Sequence, residues 1–210
     1  HDARGIARAH VVAQSFGGMN ALLFALRQPE RVASLSLVDV RIRPLQRSVS
    51  VGPIRISPRV RRRLEAHGLD PDRLTAADDG IDYLNWVARI QINAGAEAAD
   101  LLSALYSHPR LFRTAKAAQR WIDLTERASL AADLKREAAF GAADLARLEQ
   151  PMLILVGGRS TTLPSAEALA RICTQARLRV VPDVGHFFPM TQPKLFLQPT
   201  MRFLHAIGRP

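Results

Sequence analysis

The spacing of apolar residues changes twice within the first forty positions. A short β-rich run covers residues 10–14, and apolar side chains then repeat at helical spacing over residues 16–28, through Met19, Leu22 and Leu26. Residues 32–38 form a second apolar run, and Pro29 ends the preceding helix because its ring cannot continue the backbone hydrogen bonds. The pattern predicts a strand, a helix and a second strand.

The middle of the chain, residues 41–150, contains no run typical of a buried strand. It contains amphipathic stretches separated by proline and glycine, and these predict helices at 59–67, 79–92, 96–106, 114–123 and 129–139. We interpret this region as a helical lobe.

Strands and helices alternate again towards the end of the chain. Apolar runs at 152–156 and 177–181 predict strands, and residues 165–174 and 194–207 have helical spacing. Such alternation is typical of a parallel sheet with right-handed crossovers. We therefore predict an α/β fold with a mostly parallel, doubly wound sheet. Its core comprises residues 1–40 and 151–210, and residues 41–150 form an α-helical insertion.

Composition narrows the class of protein. A chain of 210 residues is long enough for one core and a small inserted lobe, and 48% hydrophobic with 23% charged residues is typical of a soluble globular protein. No run of about 18 apolar residues is present, so we expect no membrane span. We expect a cytoplasmic protein. Because the chain begins with His1 rather than Met, secretion stays open.

The net charge of +10 raises the question of nucleic-acid binding. Almost all of this charge is arginine spread along the whole chain, and only three residues are lysine. The densest cluster is Arg55, Arg59, Arg61, Arg62 and Arg63. We interpret it as a solvated helix face and expect no nucleic-acid partner, with binding of a polyanion as the alternative.

Ser15 lies where the first predicted strand turns into the first helix. The small residues Ala13, Gly17 and Gly18 around it permit a sharp turn, which would project the hydroxyl at its apex. A serine hydroxyl needs a base to become a nucleophile, and the backbone N–H of Phe16 would face an oxyanion formed there. The alternative is that Ser15 only caps a helix of the core.

The run Ala-Gln-Ser-Phe-Gly-Gly at 13–18, with Gln-Pro-Glu-Arg-Val at 28–32 and Leu-Val-Asp at 37–39, resembles the α/β-hydrolase superfamily. It departs at Ala13, which replaces the first glycine of the Gly-x-Ser-x-Gly motif. The resemblance implies the C-terminal part of the α/β-hydrolase fold, a helical cap between its sixth and seventh strands, and Ser15 as nucleophile of a serine-dependent hydrolase.

The same resemblance indicates His186 as the base. It follows Gly185 in a loop after the last predicted strand, which is similar to the catalytic histidine loop of the family. The other five histidines lack this context.

The sequence offers more than one position for the acid, the carboxylate that orients the catalytic histidine in this family. Most family members carry it in a Gly-x-x-Asp turn after the seventh strand, and the equivalent run here, at 157–160, is Gly-Gly-Arg-Ser. Some branches take the acid from the end of the sixth strand, which is Asp39 in this chain. We expect Asp39 to orient His186. The alternative is that Asp39 binds only loop backbone and leaves a Ser-His dyad or an inactive protein. We expect Asp183 to face away from the site and to cap a turn.

Apolar residues of the helical lobe admit two interpretations. They line an acyl pocket, or they form the core of the lobe, which is the more common role at helical spacing. They are Leu84, Trp86, Val87, Ile90, Leu102, Leu105, Tyr106 and Trp121.

No metal or organic cofactor is expected, because the chain has neither metal-ligand spacing nor a phosphate-binding glycine loop. The single cysteine, Cys173, lies in an apolar helical pattern and is expected to be a buried thiol.

The family normally has four strands before the nucleophile, whereas this chain begins about ten residues before its first predicted strand. We therefore expect a fragment without the N-terminal strands. It would have an unpaired strand edge and would lack one oxyanion donor.

Two hypotheses of function remain. The first is a hydrolase that cleaves a small ester-like or other acyl substrate through Ser15, His186 and Asp39. The second is a non-catalytic protein of the same fold that binds an apolar ligand, or an inactive fragment that needs its missing part. The sequence does not identify the substrate, and it leaves homo-oligomerisation open.

Overall fold

The computed structural model describes residues 5–47, 56–75, 80–105, 112, 114–128 and 140–208. The chain divides into two compact units. The first comprises His1–Arg47 and Glu137–Pro210, and the second comprises Ser48–Arg136. The second unit is shorter at both ends than the predicted insertion, which covers residues 41–150.

The first unit contains a parallel sheet of four strands in the order β1-β2-β3-β4. The strands are β1 Ala9–Gln14, β2 Val32–Val38, β3 Met152–Gly157 and β4 Ala176–Val181. Its helices are α1 Phe16–Arg27, α7 Ala142–Leu145, α8 Leu163–Ile172, α9 Phe188–Thr191 and α10 Pro193–Ile207, and a 3₁₀ turn covers Pro29–Arg31. The predicted α/β class and parallel sheet are confirmed.

Both faces of the central strands are covered. On one face, Leu35 and Leu37 of β2 pack in the main core with Leu22 of α1 and Leu169 of α8. On the other face, Val38 packs in a smaller cluster that includes Phe188. All residues of β2 and β3 are buried, as expected for central strands covered on both faces. β3 is a continuous apolar run, whereas β2 also includes the buried serines Ser34 and Ser36.

The two outer strands are more exposed. In the described part of the chain β1 pairs with β2 alone, and Val12 is 44% exposed. At the other edge, β4 alternates the exposed side chains of Leu178 and Val180 with Arg177 and Arg179. Charged residues on an outer strand oppose edge-to-edge pairing with other chains.

The described secondary structure of the second unit consists of helices and helical turns. Its helices are α2 Pro58–Ala66, α3 Pro71–Thr75, α4 Gly80–Asn93, α5 Ala98–Leu105 and α6 Ala115–Ile122, with a 3₁₀ turn at Gly95–Glu97 and a π-helical turn at Asp123–Arg127. The predicted helix at 129–139 lies outside the described residues. No helix in the described ranges is long and apolar enough to cross a membrane.

Several apolar residues that were candidates for an acyl pocket belong to the core of this unit. Trp86, Val87, Ile90 and Leu102 are buried together, and Leu105 packs against them. Trp121 is partly buried against a second cluster, Leu84 is partly buried, and Tyr106 lies outside the described residues. Most of these apolar residues, which recur at helical spacing, therefore pack in the core of the second unit.

The arginine cluster of the second unit is partly neutralised. Arg61 bonds to Asp72 at 2.7 Å, and Arg63 bonds to Glu97 at 2.8 Å. These ion pairs favour the interpretation of a solvated helix face.

Helix ends differ from the prediction where local chemistry shifts them. α8 begins at Leu163 rather than at residue 165, because Pro164 is well suited to the first turn of a helix. α6 begins at Ala115, since the Thr114 side chain accepts the Ala117 N–H at 3.1 Å and caps the helix.

Gly18 allows α1 to approach the chain that follows β2. A Cβ atom at Gly18 would lie 2.2 Å from Val40 Cγ2 and 2.9 Å from Val40 Cβ, whereas one at Gly17 would have its nearest neighbour, Ala13 Cβ, at 4.0 Å. Val40 is buried and has a stiff β-branched side chain, so it cannot easily yield.

We predict that Gly18→Ala lowers the free energy of unfolding by about 1–3 kcal/mol through overpacking. The matched variant Gly17→Ala should leave it unchanged or raise it by up to about 1 kcal/mol, because alanine favours the helix. Urea unfolding followed by circular dichroism measures both values. Equal effects of the two variants would contradict this account of Gly18.

Candidate active site

Ser15 forms a strained turn between β1 and α1. Its φ and ψ angles are 53° and −127°, a conformation that costs a residue other than glycine on the order of 1–3 kcal/mol. The turn is held by the Ser15 N–H, which donates to Val38 O at 3.1 Å, and by the Gly18 N–H, which donates to Ser15 O at 3.0 Å. The Ser15 side chain makes no capping hydrogen bond to α1. Its orientation therefore differs from that of a simple helix cap.

His186 lies between β4 and α9, and both of its ring nitrogens have partners. Nε2 is 3.0 Å from Ser15 Oγ, and Nδ1 is 2.8 Å from Asp39 Oδ1. Because an ionised carboxylate only accepts hydrogen bonds, Nδ1 carries the proton in the neutral ring, and Nε2 accepts from the Ser15 hydroxyl. The His186 side chain is 25% exposed, whereas the Asp39 side chain is fully buried.

Asp39 follows the last residue of β2 and leaves the sheet through a left-handed conformation, with φ 51°. Its N–H still continues the sheet by donating to Leu155 O at 2.7 Å. The carboxylate oxygen Oδ2 accepts the Gly157 N–H at 2.8 Å. One alternative was that Asp39 binds only loop backbone. It does bind the backbone at Gly157, but its carboxylate also contacts His186.

The Asp39 carboxylate has two further donors, which the sequence pattern does not predict. The Thr162 hydroxyl donates to Oδ1 at 2.6 Å, and the Ser160 hydroxyl donates to the same oxygen. Both residues belong to the segment between β3 and α8. The only sequence signal was their position after a neighbouring parallel strand, because such strand ends meet at one edge of the sheet.

The donors around Asp39 affect its charge. Burial alone would raise its pKa, but the hydrogen bond and the charge of His186, with the hydroxyls of Ser160 and Thr162, outweigh burial. The pKa of Asp39 therefore lies below its ordinary value of 3.8, and the group is ionised at neutral pH.

The segment after β3 is joined to the histidine loop by backbone hydrogen bonds. The Gly158 N–H donates to Val181 O at 2.7 Å, and the Arg159 N–H donates to Val184 O at 2.9 Å. Only glycine fits at 157, since a Cβ atom there would lie 2.5 Å from Val184 O. These bonds fix the loop that carries His186 beside the donors of Asp39.

Asp183, the other carboxylate near His186, is exposed and pairs with Arg159 at 2.6 Å. This bond makes a further link between the two loops. It leaves Asp39 as the carboxylate that contacts His186 in the described residues.

Phe16 is the first residue of α1. No preceding helical turn supplies an acceptor for its N–H, and this N–H has no acceptor among the described residues. It is thus available to an oxygen atom next to Ser15.

Other reactive groups lie apart from this arrangement. Cys173 is buried, its thiol donates to Leu145 O, and burial raises its pKa to about 11. Within the described ranges, no three His, Cys, Asp or Glu side chains are grouped closely enough to hold a metal ion.

Known proteins share both the sequence pattern and the fold. A model of the alpha/beta hydrolase family matches residues 1–198. The chain is also 25% identical over 208 residues to an uncharacterized carboxylesterase, nap, from Bacillus subtilis strain 168. That match covers 98% of this chain and 59% of the relative, so the chain spans about three fifths of the length of this curated protein.

Solved structures show the same fold. A meta-cleavage product hydrolase from Pseudomonas fluorescens IP01 superposes with a TM-score of 0.58 at 20% identity, over 99% of this chain and 68% of that one. A proline iminopeptidase from Mycobacterium smegmatis gives 0.59 at 21% identity, over 98% and 68% of the two chains. With a family model that matches nearly its whole length, the chain belongs to the alpha/beta hydrolase family.

Proposed function

We propose that this chain is a serine-dependent hydrolase of ester-like or other acyl substrates. The observation that carries the proposal is the continuous line of hydrogen bonds from Ser15 Oγ through His186 to Asp39. This arrangement pairs a nucleophile with a base and the base with an orienting carboxylate. The carboxylesterase description of the Bacillus subtilis relative is consistent with it.

The first half of the proposed reaction forms an acyl-enzyme. Ser15 Oγ attacks the carbonyl carbon of the substrate while His186 Nε2 takes the hydroxyl proton. The carbonyl oxygen becomes an oxyanion, to which the Phe16 N–H donates. When the intermediate collapses, the imidazolium of His186 gives its proton to the leaving alcohol oxygen, and the acyl group stays on Ser15.

Water completes the reaction. His186 Nε2 removes a proton from a water molecule, which attacks the acyl carbon and forms a second oxyanion. Collapse breaks the bond to Ser15 Oγ, and His186 returns the proton to that oxygen. Asp39 remains ionised throughout, holds Nδ1–H and stabilises each imidazolium.

The helical unit occupies the interval between β2 and β3 in the sequence. We propose that it is the cap insertion that the family resemblance implies at this point. Its buried apolar core supports an independent packing unit there.

We predict that a fluorophosphonate probe labels Ser15 in the folded chain, because the base beside it increases its nucleophilicity. Ser15→Ala and His186→Ala should abolish labelling, as read by mass spectrometry of the digested protein. His205→Ala is the matched control, since His205 is exposed on α10, and it should label like the unmodified chain.

A folded chain that never labels would contradict the proposed hydrolase. It would favour the alternative of a non-catalytic ligand-binding member of the family.

We further predict that Asp39→Asn slows labelling by about 10⁴-fold. The amide can donate as well as accept, so it no longer favours the ring tautomer with the proton on Nδ1, and it carries no charge to stabilise the imidazolium. The second-order rate constant of labelling measures this effect. A loss of less than about tenfold would mean that Asp39 does not support His186.

A further inference from the structure

Among the described residues, the Asp39 carboxylate accepts four hydrogen bonds, one of which comes from His186. The others come from the Ser160 and Thr162 hydroxyls and from the Gly157 N–H. Oδ1, the oxygen that faces His186, is also the acceptor for both hydroxyls. The hydroxyls therefore act directly on the atom that orients the imidazole ring.

The protons of this cluster can be assigned. Each hydroxyl has one proton, and each donates it to Oδ1 because a carboxylate cannot donate in return. Ser160 Oγ is then free to accept, and the Thr162 N–H lies 3.3 Å from it in a donating geometry. The two hydroxyl oxygens also lie 3.1 Å apart, but neither has a second proton for this contact while both donate to Oδ1.

The Ser160 and Thr162 side chains are buried, and hydrogen bonds hold the backbone around them. Ser160 and Thr162 are 7% and 4% exposed. The Ser160 N–H donates to Gly157 O at 3.0 Å, and the Leu163 N–H donates to Ser160 O at 3.2 Å as α8 begins. Because their backbone is held in this way, the two hydroxyls limit the rotation of the Asp39 carboxylate to which they donate.

We propose that Ser160 and Thr162 are positioning residues whose hydroxyls hold the Asp39 carboxylate against Nδ1 of His186. The inference rests on the function proposed above. Ser160 stands where the Gly-x-x-Asp turn would place an acid, so here a hydroxyl at that position supports an acid on the neighbouring strand.

The electrostatics of the cluster agree with this role. Burial acts to raise the pKa of Asp39, and the two hydroxyls are among the groups that lower it, together with His186. Among the described residues, the other three donors to Asp39 besides His186 are hydroxyl and backbone N–H groups, which carry no charge. Removal of either hydroxyl should therefore raise the pKa of Asp39.

Four variants separate positioning from general packing. Ser160→Ala and Thr162→Val each remove one hydroxyl, and Thr162→Val keeps the side-chain shape. Thr162→Ser restores a hydroxyl at the same position. Thr161→Val is the matched control, because the Thr161 side chain is exposed and, within the described ranges, its hydrogen bond is made by its backbone oxygen, which accepts from Gln46. Circular dichroism establishes that each variant is folded.

Two measurements are made on each variant: the rate constant of fluorophosphonate labelling at Ser15, and a ¹³C NMR pH titration of the Asp39 carboxyl carbon. We expect Ser160→Ala and Thr162→Val to slow labelling roughly tenfold, since misplacement of the acid misorients the base. We expect their titration midpoints to rise by on the order of half to one pH unit. Thr162→Ser and Thr161→Val should retain values close to those of the unmodified chain.

Failure of this inference is distinct from failure of the proposed hydrolase. If the unmodified chain labels, and Ser160→Ala and Thr162→Val retain both its rate and its midpoint, the positioning role is overturned while the hydrolase stands. If Thr162→Ser is as impaired as Thr162→Val, packing explains the effect and the role is again overturned. If the unmodified chain does not label while the midpoints rise as expected, the hydrolase fails, and the two hydroxyls still hold the carboxylate.

Discussion

The buried carboxylate of Asp39 organises the carboxyl edge of this sheet. A charge removed from water is stable only when hydrogen-bond donors replace its hydration. Here the donors come from the end of β3, from the segment that follows it and from the loop after β4. One ionised group at the end of β2 therefore joins residues 157–162 and His186, which lie more than 100 residues further along the chain. The position of His186 depends on this group directly, and Ser15 reaches His186 from the neighbouring strand.

The parallel register brings these segments together. Gln14 is paired with Val38, and Val38 with Leu155, so Ser15 and Asp39 leave adjacent strands at nearly the same level. Glycine then permits the close approaches on either side. Gly18 lets α1 pack against Val40, and Gly157 lets the end of β3 meet the backbone of Val184. The strained angles of Ser15 and Asp39 persist because hydrogen bonds and packing surround both residues.

Local patterns were sufficient to predict much of this arrangement. The apolar and β-rich runs placed all four strands within a residue or so of their observed ends, because strands and helices differ in the period of their apolar residues. Short motifs beside strand ends predict Ser15 and His186 as site residues, and the structure brings their side chains within 3.0 Å of each other. In this family the acid can follow either of two neighbouring strands, and only the folded geometry shows that His186 contacts Asp39. The Ser160 and Thr162 contacts were not predicted, because they join positions more than 120 residues apart and have no local signature.

The hydrogen bond between His186 Nδ1 and Asp39 Oδ1 is central to the proposed site, and proton NMR can observe it. A histidine proton shared with a buried carboxylate resonates far downfield of the backbone amides. We predict such a resonance in the folded chain and its loss in both His186→Ala and Asp39→Asn. Absence of the resonance from the unmodified chain at low temperature, or its persistence in Asp39→Asn, would contradict the arrangement on which the proposed function rests.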